Sequence, residues 1–185
     1  IGEYLLPKIL TRLQERYPQI VPEITIGNTD EIGTKLLHHE IDIGLIEGNY
    51  SHHQFSEEQF ASDQMYIIAG EGTSLQIDGQ VSIEDLEKET WIIREEGSGT
   101  RKVVEDFLDM HHIKPKRMLT FGSTQTIKEG VESGLGISLL SSLTFAKEIE
   151  LGRIQKLSVD GTPIQRKSKT TMNFTQRHWM FLKTS

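Results

Sequence analysis

The sequence predicts an α/β fold, because helical and strand patterns alternate along most of its length. Apolar residues recur at helical spacing in several segments, and short runs rich in Ile, Leu and Val lie between them. Turns containing Gly, Ser or Asn join the two patterns. A chain of 185 residues has room for one domain or for two small ones.

The first part of the chain reads as two helix and strand pairs. Residues 4–17 form an amphipathic pattern that ends before a proline, and this predicts a helix. The alternation of residues 23–26 predicts a strand, and Asn28 followed by Glu31 predicts the N-cap of a second helix. Residues 41–46 are almost continuously apolar, which is typical of a parallel strand covered on both faces.

Residues 47–80 are mostly polar and show weaker periodicity than the segments before them. Residues 47–63 predict a loop with at most one short strand, and residues 65–69 predict a strand. Residues 71–80 predict a turn-rich connection. Ser82 with Asp85 then predicts a short capped helix.

Residues 91–101 combine a β-forming segment, a turn with two glycines and the start of a helical apolar stripe. Ser98 and Thr100 therefore fall in the opening turn of a helix. The first amides of a helix have no internal acceptor and face the positive end of its dipole, so this turn predicts an anion site. The alternative is that Ser98 only caps the helix.

A second cycle follows, with a strand at residues 117–121, a turn at residues 122–124 and a helix that ends at Gly134. Residues 136–140 predict a buried strand, and Ser141 with the next serine is expected to cap a helix to about residue 150. Two last strands are predicted at residues 154–159 and 169–173.

Three predicted strand-to-helix turns carry small hydroxyl or amide residues. They contain Asn28 and Thr29, then Ser98, Gly99 and Thr100, and then Ser123 and Thr124. In open α/β sheets, ligands bind where strand ends meet helix starts, so facing sheets would bring these turns to one crevice. Hydrogen bonds to a charged group contribute about 1.5–3 kcal/mol each, so three or four would hold a small anion with micromolar to millimolar affinity.

The charged residues beside these turns leave two alternatives open. The carboxylates of Asp30, Glu31, Glu95 and Glu96 could satisfy the helix ends themselves. Arg94 could contact the anion, or it could form an ion pair with a neighbouring carboxylate.

Composition argues against several other functions. The net charge of −7 and the pI of about 5.5 argue against a broad grip on a nucleic acid backbone. The absence of cysteine excludes disulfides and permits a cytosolic location. The most apolar stretches are too short to cross a bilayer, and no basic and apolar leader is visible, so we expect no membrane contact.

The sequence supports neither catalysis nor a resident cofactor. Gly97-Ser98-Gly99 is not a nucleophile elbow, and the glycines at 134 and 136 lack the third glycine of a dinucleotide turn. Asp42 is expected to be a buried carboxylate held by backbone donors rather than a catalytic group. The histidines occur as adjacent pairs, which point apart, so we expect no metal site.

Five segments occur in a particular order and spacing: Tyr4-Leu5-Leu6-Pro7, Gly27-Asn28-Thr29, residues 41–48, residues 91–101 and Gly134-Leu135-Gly136-Ile137. As an ordered set they resemble the effector-binding domain of LysR-type transcriptional regulators, from residue 1 to about 160. The resemblance implies a periplasmic-binding-protein-like (type 2) α/β fold of two subdomains joined by two crossover strands. Subdomain I would comprise residues 1–69 and 156–185, and subdomain II residues 70–155.

The resemblance also implies a function. A small anionic effector would bind in the cleft between the subdomains, at the three turns with Arg94, and near Gly136 and Ile137 at the hinge. The chain would be cytoplasmic and would form a homodimer or homotetramer through the helices at residues 4–16 and 100–111. DNA would be bound only by an N-terminal winged helix-turn-helix domain that this chain lacks.

Two features depart from the family pattern. The family usually has a strand and a Ser/Thr turn before the position of Ile1, and its final amphipathic helix is not evident in residues 167–185. The alternative function is a stand-alone solute-binding protein for a small anion, and an enzyme on this fold is a more distant one. An upstream DNA-binding domain would favour the regulator, and a signal peptide would favour the solute-binding protein.

Overall fold

A computed structural model describes residues 4–48, 50, 52–73, 75 and 79–173. The chain divides into two compact units, which we call unit 1 (Ile1–Ala61 and Ser168–Ser185) and unit 2 (Ser62–Lys167). The strands β2 (Phe55–Gly70) and β7 (Ile164–Asn173) contribute to both units because each contains a boundary. The segment in which the sequence lacks the family's final helix lies mostly outside the described residues.

The described residues of unit 1 form two helices and one short strand besides its parts of β2 and β7. They are α1 (Leu6–Arg16), α2 (Thr29–Leu37) and β1 (Gly44–Glu47). Helix α2 buries Ile32 and Leu36, and β1 pairs antiparallel with β7. Both helices are confirmed, including the N-cap of α2.

The strand expected at residues 23–26 is wrong, because this segment has no strand structure. Ile24 and Ile26 are 44% and 65% exposed. Alternation of apolar and polar residues is typical of a strand, but a strand forms only where a neighbouring strand pairs with its backbone N–H and C=O groups. No described strand pairs with this segment.

The strand expected at residues 41–46 is correct only in its second half. Strand β1 begins at Gly44 and pairs antiparallel with β7, not in a parallel sheet. Ile43 is 50% exposed, and Asp42 is exposed as well, so the expectation of a buried carboxylate was wrong. Apolar content alone does not show whether a strand is covered on both faces.

Residues 47–63 were expected to form a loop with at most one short strand, but their second half belongs to a long strand, because β2 begins at Phe55 and runs for 16 residues. Residues 58–60 of this strand are exposed, whereas residues 67–70 are buried. An exposed strand carries no apolar alternation, which is why the sequence shows only the strand at residues 65–69. That shorter strand is confirmed as part of β2.

Unit 2 contains the remaining elements, and most of them follow the sequence analysis. They are α3 (Ile83–Lys88), β3 (Thr90–Arg94), α4 (Gly99–Met110), β4 (Arg117–Phe121), α5 (Thr124–Glu132), β5 (Ser138–Ser141), α6 (Ala146–Glu150) and β6 (Ile154–Lys156). Strands β3 and β4 are parallel, and β5 and β6 each pair antiparallel with β2. The chain enters β5 through a parallel bridge between Trp91 and Ile137.

The core of unit 2 forms on both sides of β3. Because side chains alternate along a strand, Trp91 and Ile93 pack in one apolar cluster with Phe107 of α4. Ile92 points the other way, into a second cluster with Ile127 of α5. One strand therefore anchors the helices on its two faces.

The start of α6 differs from the prediction. Ser141 was expected to cap this helix, but it is the buried last residue of β5, and its carbonyl accepts from the Thr144 hydroxyl. The helix starts only at Ala146 and has no side-chain cap. A serine pair is equally compatible with a strand end followed by a turn.

None of the helices in the described residues is long and apolar enough to span a bilayer.

Gly136 provides a test of the packing beside β3. A Cβ atom at this position would collide with the carbonyl oxygen of Thr90, which is backbone and cannot move aside. We expect Gly136→Ala to lower the free energy of unfolding by about 1–3 kcal/mol, measured by urea denaturation. The matched control is Gly122→Ala, because Gly122 has no atom within 4 Å of such a Cβ. Equal stability of the two variants would contradict the packing described here.

Candidate functional site

The parallel pairing of β3 with β4 brings two helix starts to one edge of unit 2. The register pairs Arg94, the last residue of β3, with Phe121, the last residue of β4. The turns that follow lead into α4 and α5. Arg94 Nη1 donates a hydrogen bond of 3.2 Å to Thr124 Oγ1, which links the end of β3 to the first residue of α5. We call this the β3–β4 edge.

Both helices at this edge have serine N-caps. Ser98 Oγ accepts from the Arg101 amide at 3.5 Å, and Ser123 Oγ accepts from the Thr126 amide at 3.2 Å. Capping is therefore a real role of both serines, as the alternative interpretation of Ser98 proposed. Each cap satisfies one of the amides that the helix leaves without an internal acceptor.

Other amides of these first turns have no acceptor among the residues that the structure describes. Within the described part of the chain, no hydrogen-bond acceptor faces the backbone N–H of Thr100, Thr124 or Gln125. Neither first turn contains an acidic residue. In the described part of the chain, these three amides are available to an external acceptor at the positive ends of the two helices.

Thr100 is 6% exposed, and its hydroxyl belongs to a buried network. Thr100 Oγ1 accepts from Arg166 Nη1 at 2.9 Å. The same guanidinium donates from Nε and Nη2 to the two carboxylate oxygens of Asp63, at 3.1 and 2.6 Å. The side chains of Arg166 and Asp63 are only 3% and 7% exposed.

Burial raises the pKa of Asp63, but the hydrogen bonds and positive charge of Arg166 outweigh it, so the pKa lies below its usual value of 3.8. A hydrogen bond with Ser141 acts in the same direction. Sequence reasoning missed Asp63 and Arg166. They lie 103 residues apart, and no local pattern relates them.

Arg94 forms the ion pair that was one of its two expected roles. Its Nε and Nη2 atoms each donate to a Glu95 carboxylate oxygen at 2.7 Å. The two side chains are 17% and 28% exposed, so this pair lies nearer to solvent than the pair of Arg166 with Asp63. Contact of Arg94 with a ligand stays a prediction.

The turn at Asn28 lies in unit 1 and has different electrostatics. Asn28 and Glu31 form a reciprocal capping box, in which the Glu31 carboxylate accepts from the Asn28 amide at 2.9 Å. The Thr29 hydroxyl donates to the Glu47 carbonyl at 3.5 Å. Since Glu31 already places a negative charge at this helix start, α2 is less suited to an external anion than α4 and α5.

Gly136 and Ile137 lie at the opposite end of β3. The Ile137 amide donates to the Thr90 carbonyl at 2.8 Å, and the Ile137 carbonyl accepts from the Ile92 amide at 2.8 Å. These contacts join the start of β3 to β5, whereas the predicted turn residues follow the end of β3. The structure gives both residues a role in backbone pairing, and their contact with a ligand stays a prediction.

The family model described as the LysR substrate binding domain matches residues 1–170. The chain belongs to the LysR substrate-binding domain family. This result confirms the family resemblance that the sequence motifs indicated.

Relatives of this LysR domain are transcriptional regulators. The regulator CysL of Bacillus subtilis (strain 168) is 38% identical over 167 residues, which are 90% of this chain and 56% of that protein. The regulator CbbR of Sinorhizobium medicae (strain WSM419) is 35% identical over 166 residues, 89% of this chain and 53% of that protein. The chain thus spans a little over half the length of these relatives.

Solved structures show the same LysR domain fold. The regulatory domain of CcmR from Synechocystis PCC6803, in complex with 2-PG, has a TM-score of 0.84 and 24% identity, covering 98% of this chain and 90% of that chain. The effector binding domain of QuiR, in complex with shikimate, has a TM-score of 0.81 and 14% identity, covering 94% of this chain and 82% of that chain. These likenesses confirm the predicted periplasmic-binding-protein-like fold class.

The lowered pKa of Asp63 predicts a pH-dependent contribution to the stability of this LysR domain. Ionised Asp63 stabilises the fold above its unfolded-state pKa, and this stabilisation is lost as the pH falls through the still lower folded-state pKa. We expect Asp63→Asn to lower the unfolding free energy by about 3–5 kcal/mol at neutral pH. The difference from wild type should shrink below pH 3.8, the usual value for the group.

Urea denaturation at neutral pH and in acid measures this difference. The control is Asp85→Asn, which removes a 44% exposed carboxylate that pairs with Lys88 on α3. We expect little change for the control at either pH. A difference between wild type and Asp63→Asn that is the same at both pH values would contradict the prediction.

Proposed function

We propose that this chain is the effector-sensing part of a bacterial LysR-type transcriptional regulator and that it binds a small anionic metabolite. In the whole protein, an N-terminal winged helix-turn-helix domain would bind DNA, and the effector would modulate that binding. Like the family, the protein would act in the cytoplasm as a homodimer or homotetramer. Catalysis has no part in this proposal.

Family membership and the named relatives support the regulatory role. The named relatives CysL and CbbR are transcriptional regulators and not stand-alone solute-binding proteins. The chain matches only part of each relative, which leaves room for a DNA-binding domain in a longer protein. These observations favour the regulator over the solute-binding alternative.

The observation that most supports an anionic effector is the set of donors at the β3–β4 edge. Three amides of α4 and α5 have no acceptor in the described residues, and two threonine hydroxyls lie in the same turns. Anions bind at helix starts because the amides point outward and the dipole is positive there. We propose Ser98, Gly99, Thr100, Ser123 and Thr124 as the turn residues of this site, with Arg94 beside them. Asn28 and Thr29 remain predicted contacts.

The charges at this edge limit the size of the anion and its affinity. Arg94 is paired with Glu95 and Arg166 with Asp63, so neither brings an uncompensated positive charge. The neutral donors would then supply most of the binding energy, at about 1.5–3 kcal/mol for each hydrogen bond to a charged group before the cost of association. A small anion held with micromolar to millimolar affinity fits this arrangement.

A thermal-shift screen tests the proposal directly. The wild-type chain is heated with sulfate, phosphate, shikimate or 2-PG at millimolar concentration, and with glucose as an uncharged control. Binding to the native state stabilises it by about 2.7 kcal/mol when the ligand is present at a hundred times its Kd, so a true effector raises Tm. If small anions raise Tm no more than glucose does, the proposed anionic effector is wrong.

The combined substitution Ser98→Ala and Thr100→Val tests the turn of α4. We expect it to weaken binding of the anion found in the screen by about tenfold or more, since each hydrogen bond lost to a charged group costs about 1.5–3 kcal/mol. Isothermal titration calorimetry measures the affinity, and circular dichroism checks that the variant is folded.

The matched control for this variant is Ser82→Ala. Ser82 caps α3 by accepting from the Asp85 amide at 3.2 Å, so its loss removes a similar cap outside the proposed site. The control should lose some stability, about 1 kcal/mol, without losing affinity. Unchanged affinity in the combined variant would refute the assignment of the α4 turn.

A further inference from the structure

Two arginines at the β3–β4 edge use the same arrangement of donors. Arg166 donates from Nε and Nη2 to Asp63 and from Nη1 to the Thr100 hydroxyl. Arg94 donates from Nε and Nη2 to Glu95 and from Nη1 to the Thr124 hydroxyl, as described above. In each case two hydrogen bonds to a carboxylate fix the guanidinium plane. The remaining nitrogen, Nη1, donates to a threonine hydroxyl in the first turn of a helix.

This arrangement determines the direction of the hydrogen bond. A guanidinium has five N–H donors and no acceptor, so Thr100 Oγ1 can only accept from Arg166. The single hydroxyl hydrogen of Thr100 must therefore point elsewhere. Within the described residues no acceptor takes this hydrogen, although Thr100 is only 6% exposed. A nearly buried hydroxyl donor without an acceptor is costly unless a ligand satisfies it.

The hydroxyl of Ser123, at the same β3–β4 edge, does have an acceptor for its hydrogen. The Thr126 hydroxyl donates to the Ser123 carbonyl at 2.9 Å, which leaves Ser123 as the donor in its contact of 3.0 Å with Thr126 Oγ1. The hydroxyl hydrogen of Ser123 is thus used within the protein. Thr100 differs because its neighbour is an arginine, which cannot accept.

We propose that Arg166, clamped by Asp63, is a positioning residue that sets the Thr100 hydroxyl as a hydrogen-bond donor to an oxygen of the effector. This proposal rests on the proposed function, because it assigns a role at the same anion site. Its consequence is a preference for ligand groups that accept at this position, such as carboxylate or phosphate oxygens. Arg166 acts through Thr100, and its own charge is balanced by Asp63.

A double-mutant cycle tests whether Arg166 acts through Thr100. The probe is inorganic phosphate, with sulfate as a second anion, and calorimetry measures the affinity of the 185-residue chain. Thr100→Val removes the hydroxyl and should weaken binding about tenfold or more. Arg166→Lys keeps the charge but loses the planar fork, and it should weaken binding by about three- to tenfold when Thr100 is present.

The decisive measurement is Arg166→Lys in the Thr100→Val background. If Arg166 acts by orienting the hydroxyl, its substitution should change affinity less than about twofold once the hydroxyl is gone. A purely structural role predicts the same loss of affinity in both backgrounds. Equal losses, or no effect of Arg166→Lys on affinity in the wild-type background, would overturn the proposal.

Two further variants complete the design. If Arg166→Lys does not fold, Asp63→Glu replaces it in the cycle. This substitution moves the carboxylate that holds Arg166 but keeps its charge, so it should weaken anion binding when Thr100 is present and have little effect in the Thr100→Val background. The control is Arg153→Lys, because Arg153 forms a more exposed ion pair with Glu132 and should leave affinity unchanged. If wild-type chain binds neither probe nor any anion of the thermal-shift panel, the proposed function fails and this inference fails with it. Binding by wild type with additive losses overturns the inference alone.

Discussion

The candidate site depends on the parallel pairing of β3 with β4. Neighbouring strands lie about 4.8 Å apart, so the pairing of Arg94 with Phe121 makes the two following turns adjacent. Strand β3 also anchors both helices, because Trp91 packs with the cluster of α4 and Ile92 with the cluster of α5. The core that stabilises unit 2 is therefore also what brings two helix starts to one edge.

Charge pairing at this edge explains why neutral donors matter more than arginines. Arg94 and Arg166 are each bound by a carboxylate through two hydrogen bonds, and the whole chain carries a net charge of −7. A polyanion would be repelled by such a surface, whereas a small anion can fit against a few amides and hydroxyls. The buried pair of Arg166 with Asp63 also carries a desolvation cost, so stability alone is a weak reason for its presence. Control of the Thr100 hydroxyl gives the pair a function that two apolar residues could not perform.

The parts of the fold that the sequence predicted are those determined by neighbouring residues. The caps at Asn28 and Ser82 and the strands β3 and β4 follow from patterns a few residues long. The strand predicted at residues 23–26 was wrong because alternation of apolar and polar residues is typical of a half-buried strand but does not show that a neighbouring strand is present to pair with it. The start of β2 was missed because its residues are polar. Asp63 and Arg166 could not be paired from one sequence, because nothing local relates positions 103 residues apart.

The third residue of each helix distinguishes the three turns that the sequence treated alike. In α2 this residue is Glu31, whose carboxylate returns to the Asn28 amide and fills the helix start. In α4 it is Arg101, which pairs with Glu105 one turn further on, and in α5 it is Thr126. All three helices have a side-chain cap, but of the three only α2 has a carboxylate at its third residue. A carboxylate at this position competes with an external anion for the helix start, and its absence from α4 and α5 supports placing these two helices, rather than α2, in the proposed effector site.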